Sequence, residues 1–83
     1  MTYKEKMTRH LQQAEELNAK VDAMEEKALG ILGLSAITTS MQAYRMKQHF
    51  ENDNLYRQRG NARDLHLRLA TAYALAALTE ANS

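Results

Sequence analysis

Residues 3–32, YKEKMTRHLQQAEELNAKVDAMEEKALGIL, decide the fold. Tyr3, Met7, His10, Ala14, Leu17, Val21, Met24, Ala28 and Ile31 recur at steps of three and four, so one narrow apolar stripe persists for about four heptads. That is the pattern of a helix packed lengthwise on another. Thr2 followed by Glu5 forms the start signal, a capping box in which hydroxyl and carboxylate each satisfy an unpaired helical N–H. Gly33 just past Leu32 supplies the stop, with a left-handed C′ residue and Leu34 folding back on Leu29. Opposite the stripe, Glu5, Glu15, Glu16, Asp22, Glu25 and Glu26, mixed with Lys20 and Lys27, read as a solvated face.

Working outward, residues 33–39 read as a turn. Thr39 with Gln42 forms a second capping box, and Ser35 is an alternative start for the same helix. Helix 2 is expected over about 40–59, with Met41, Tyr44 and Gln48 on one stripe and Met46 and Phe50 on another. Asn52, Asp53 and Asn54 prefer caps and turns, and Gly60-Asn61, with Asp64 behind them, offers a stop and a fresh start. A break near 60 therefore places helix 3 at about 62–80. Against that break, Met41, Tyr44, Gln48, Glu51, Leu55, Gln58, Ala62, Leu65, Leu69, Ala72 and Ala76 hold one heptad phase across Gly60. A glycine inside a helix costs only about 1 kcal/mol, so a helix 3 continuous with helix 2 is the alternative.

Residues 65–78, LHLRLATAYALAAL, carry apolar side chains on nearly every side, and such a helix must be covered all round. A chain of 83 residues buries only roughly 60% of its unfolded surface. With no cysteine to supply disulfides or a thiolate zinc site, association is the remaining route to a core. Proline and tryptophan are also absent, and strong helix formers dominate. The expected fold is all-α: one domain over 1–83, a helical hairpin or three-helix bundle with a long first helix, its coiled-coil-like seams completed by homodimerisation. The expected oligomer interface comprises Met7, Leu17, Val21, Met24, Leu65, Leu69, Tyr73 and Ala76.

Formal net charge is +1, which argues against holding nucleic acid or acidic membrane by bulk charge. Lys4, Lys6 and Arg9 are not followed by an apolar h-region, and the apolar stretches of about 14 residues fall short of the ~20 needed to span a bilayer. A cytoplasmic protein with no membrane partner is expected.

The residues offer little chemistry. His10, His49 and His66 are each preceded at three residues by Met7, Met46 and Arg63, not by the glutamate of a di-iron bundle, so no metal and no cofactor is expected. The carboxylates lie mostly on an open face, and Ser35, Ser40 and Ser83 lack a nucleophile elbow, so no enzyme is expected. Residues 30–33 match the bare G-x-x-G of an RNA-binding KH loop but sit at a helix stop in a chain without strands. The turn lacks the Trp-x-Gly of WXG-type hairpins. The last feature is basic: residues 1–34 carry −1 and residues 35–83 carry +2. On a helix continuous through Gly60, Tyr56, Arg59 and Arg63 share a face, with Arg57 beside them, a phosphate-contact strip if it is free. The expectation is a non-catalytic, homodimeric helical protein that binds another macromolecule, foremost a protein, as a small regulator or inhibitor of the kind phages and mobile elements encode. The alternative is a nucleic-acid-binding regulator using the strip at 57–63.

Overall fold

A computed structural model describes residues 1–81; Ser83 lies outside them. Three helices follow one another, α1 (Tyr3–Leu32), α2 (Ser40–Phe50) and α3 (Asn54–Ala81), and there is no strand among the described residues. The long first helix packs along the third.

Both ends of α1 form as the local chemistry dictates. The Thr2 hydroxyl accepts from the Glu5 N–H and donates to the Glu5 carboxylate, both at 3.1 Å. The glutamate thus caps through the hydroxyl and not through the Thr2 N–H. At the other end Gly33 takes φ +70°, its N–H reaches the Gly30 carbonyl at 3.2 Å, and Leu34 N–H reaches the Leu29 carbonyl at 2.9 Å. This is the Schellman arrangement, and it needs glycine because a β-carbon is disfavoured at that φ. Arg45, on α2, donates to the Leu32 carbonyl at 3.2 Å and supplies the cation that the last turn of α1 lacks. Thr39 and Gln42 form the complete capping box that starts α2.

The second half departs from expectation. Helix 2 ends at Phe50, not near residue 59, and α3 runs unbroken through Gly60 from Asn54, not from 62. The reason is Asp53: its carboxylate accepts from the Tyr56 N–H at 3.0 Å and opens a new helix, while its own N–H closes a turn onto the Phe50 carbonyl. The glycine has no comparable partner to stop a helix. The phase running from Met41 to Ala76 therefore crosses a real turn at 51–53, and its continuity through that point is coincidence.

α1 and α3 run antiparallel, since Tyr3 meets Tyr73, His10 meets His66 and Glu25 meets Tyr56. α2 closes one end of this hairpin, where buried Phe50 stacks on Tyr56 with ring centres 3.9 Å apart. The molecule is 54 Å long and about 20 Å across, with a radius of gyration of 16.9 Å, against about 12 Å for a compact chain of this length.

Gly60 and Gly33 make opposite predictions. A β-carbon at Gly60 meets nothing within 4 Å, so Gly60→Ala is expected to raise unfolding free energy by about 1 kcal/mol. Gly33→Ala, in equally open space but at positive φ, is expected to lower it by about 1 kcal/mol. Urea denaturation of the two variants measures both, and a loss on Gly60→Ala would contradict an unbroken α3.

Candidate interaction surfaces

The stripe on α1 does face α3. Ala14, Val21 and Ala28 are buried at 1–3% exposure, Met7, His10, Leu17 and Met24 are half-buried, and Ile31 at the end is 64% exposed. What α3 turns towards them is not its leucine face. Tyr56, Arg59, Arg63, His66, Ala70 and Tyr73 follow one another at three- and four-residue steps, and only Ala70 among them is fully buried. Their side chains reach across to α1 one pair after another. The Tyr56 hydroxyl donates to Glu25 at 2.7 Å, Arg59 approaches the Met24 sulfur at 3.3 Å, and Arg63 donates to Asn18 at 3.0 Å. His66 meets His10 with 2.9 Å between their Nδ1 atoms, and Tyr73 stacks on His10 and Tyr3.

The arginine strip is thus largely occupied within the chain. Tyr56, Arg59 and Arg63 do share a face, but it is the face packed on α1. Arg63 also pairs with Asp64 at 3.3 Å, and Arg57, exposed, donates to the Glu51 carbonyl at 2.8 Å.

The leucines point elsewhere. Five of the six on α3 are exposed, namely Leu55, Leu65, Leu67, Leu75 and Leu78 at 44–61%, and Leu69 is half-buried. Of the residues expected at an oligomer interface, Val21 is already covered by the chain's own packing. Met7, Leu17, Met24, Leu69, Tyr73 and Ala76 are half-covered, and Leu65 is open at 55%. The phase Ala62, Leu65, Leu69, Ala72 and Ala76 forms one flank of α3 on which Leu65 and Ala72 are exposed and the other three are half-buried. On the other flank a groove of about 560 Å³ runs between the helices, with Leu11, Ala14, Ala19 and Leu67 as its apolar lining and Glu15, Asp22 and Asp64 as acids. Neither Leu11 nor Leu67 stood out in the sequence, since each lies off the stripe that periodicity selects on its helix.

Among the described residues no group of three or more His, Cys, Asp or Glu side chains could hold a metal ion, and no helix is long and apolar enough to cross a membrane. No family model, curated protein or solved structure matches the chain.

Desolvation, reinforced by the hydrogen bond to Glu25 and its charge, pushes the Tyr56 hydroxyl up to about 12, with Arg63 pulling weakly the other way. A tyrosine whose folded value lies above the unfolded value of about 10 contributes stability that is complete below pH 10 and lost as pH rises towards 12. Wild-type stability is therefore expected to fall between pH 10 and 11 more steeply than that of Tyr56→Phe. The variant is also expected to be less stable at pH 8 by about 1 kcal/mol. Denaturant titrations across that range test both statements.

Proposed function

We propose that the protein is a non-catalytic helical interaction protein whose working form is a homodimer and whose target is another protein. The observation that carries this is surface area. The single chain exposes 6267 Å², whereas a compact monomer of its 9.5 kDa exposes about 5,000 Å². The excess, about 1,200 Å², exceeds the ~800 Å² that each partner contributes to a stable interface of standard size. A second copy is the occupant that fits the flank Ala62, Leu65, Leu69, Ala72 and Ala76. Its alternation of leucine and alanine lets a two-fold-related α3 approach closely, and the residues carry no charge to bury. Half-open Leu17 and Met24 add apolar area on α1.

The groove beyond that flank suits the protein target. Its floor is apolar, Arg63 and Asp64 in its lining pair with each other, and Glu15 and Asp22 add two further acids. An amphipathic helix with apolar anchors one turn apart and lysine or arginine beside them matches that lining in shape and charge. Nucleic-acid contact through Tyr56, Arg57, Arg59 and Arg63 has no comparable support, because those side chains are spent on the chain's own groups.

Size-exclusion with light scattering at micromolar concentration is expected to give twice the chain mass, with Leu65→Glu shifting the protein to monomer and Leu67→Glu leaving the dimer intact. A wild-type monomer removes the proposal. Dissociation by Leu67→Glu and not by Leu65→Glu exchanges the two flanks.

A further inference from the structure

We infer that the His10–His66 contact is a proton-limited latch, holding the open end of the α1–α3 hairpin at neutral pH and releasing it in mild acid. It stands on its own geometry and does not depend on dimerisation.

The two Nδ1 atoms lie 2.9 Å apart, the rings stack with centres 5.1 Å apart at 29°, and both side chains are half-buried. An imidazole nitrogen either donates or accepts. The contact is therefore a hydrogen bond only when one Nδ1 carries a proton and the other is bare. The donating ring then has a bare Nε2, and the accepting ring has its proton on Nε2. A first added proton goes to the free Nε2 of the donor ring, which leaves the bond intact and strengthens it as a charge-assisted one. A second has only the accepting Nδ1 left. It would put two protons between nitrogens at hydrogen-bond distance and two like charges in stacked rings, so the contact opens.

Among the described residues, the lining of the recess brings cations and no counter-charge. The recess around the pair is lined by Met1, Lys6, Arg9 and Gln13 from the α1 end and by Tyr73 from α3, with no carboxylate among them. The Lys6 ammonium stands 5.5 Å from the Tyr73 ring centre and 5.8 Å from that of Tyr3. On α3, Asp64, two residues before His66, is engaged by Arg63. Nor can His10 swing aside cheaply, because it lies parallel to Tyr73 at 5.6 Å, and Tyr73 stacks in turn on Tyr3. α2 packs at the far end of the hairpin and lends nothing here. Opening the latch therefore loosens the first turns of α1 and the last turns of α3 together.

The sign follows from proton counting. The unfolded chain takes two protons on these rings and the latched chain one, so on the acid side, where the second proton is taken up, stability falls as pH falls. The expected loss is at most tenfold in the folding equilibrium constant per pH unit, one proton's worth.

Denaturant midpoints between pH 8 and pH 5, at one fixed chain concentration, test this in the wild type and in His10→Gln, His66→Gln and His49→Gln. The wild type is expected to lose stability on the acid limb. His10→Gln and His66→Gln are expected to flatten that limb, since a lone ring charges without conflict. His49→Gln, at an exposed ring on α2, is expected to keep it. Should the first two variants fail to fold, nitrogen NMR of the wild-type rings at pH 8 decides. One Nδ1–H tautomer and one Nε2–H tautomer, coupled across the bond, support the latch. Two identical tautomers, or an acid limb unchanged by His10→Gln and His66→Gln, overturn it.

Discussion

The narrowness of the α1–α3 seam constrains everything else in this molecule. The residues that α1 and α3 bury completely along it are Ala14, Val21, Ala28 and Ala70, all small, so the two helices approach closely along a single line. A two-helix contact of that width has no second layer. Larger side chains at the seam's edges stay half-covered, and whatever lies further round either helix is left to solvent or to another molecule. The dearth of fully buried large side chains and the excess of exposed surface are both consequences of this one geometry.

Register along such a seam cannot come from interlocking leucines, and here it comes from polar pairs. Tyr56 with Glu25, Arg63 with Asn18 and His66 with His10 each require one alignment of α3 on α1, because a slip of a turn breaks all three contacts together. Their contribution to net stability is modest, about 1 kcal/mol each where half-exposed, but the penalty for misalignment is shared by all. That division of labour, small residues for approach and polar pairs for alignment, sets register as a polar seam residue does in a coiled coil. It also explains why arginines that looked free on α3 are occupied: they are the alignment devices of the hairpin.

What the sequence disclosed follows the range of the interactions involved. The start and stop of α1 were legible because Thr2, Glu5, Gly33 and Leu34 act within a turn of the helix end. The Thr39–Gln42 box was legible for the same reason. The stripe on α1 was legible because its apolar residues are themselves the seam. The end of α2 was misplaced although the signal was present at Asp53: Gly60 is the more conspicuous punctuation, yet a glycine without a capping partner merely weakens a helix, whereas an aspartate that bonds the N–H three residues on starts one. That Tyr56, Arg59 and Arg63 share a face of α3 was legible, but not that this face points inward onto α1. Periodicity assigns leucines to the inside, and a hairpin that packs through Arg63, His66 and Tyr73 reverses that rule, because the surface the leucines answer to is not on α1.

That reversal links assembly to folding. Five of the six leucines of α3 face away from α1, and within one chain they are not covered. If a second copy covers them, the polar seam positions α3 and the leucine flank joins the copies. Hairpin and dimer then stabilise each other, and apparent stability depends on chain concentration. The cost of a thin intramolecular core is in that case borne at the interface between chains. An antiparallel hairpin aligned by polar contacts suits such a role, because it fixes which leucines face outward before any partner arrives.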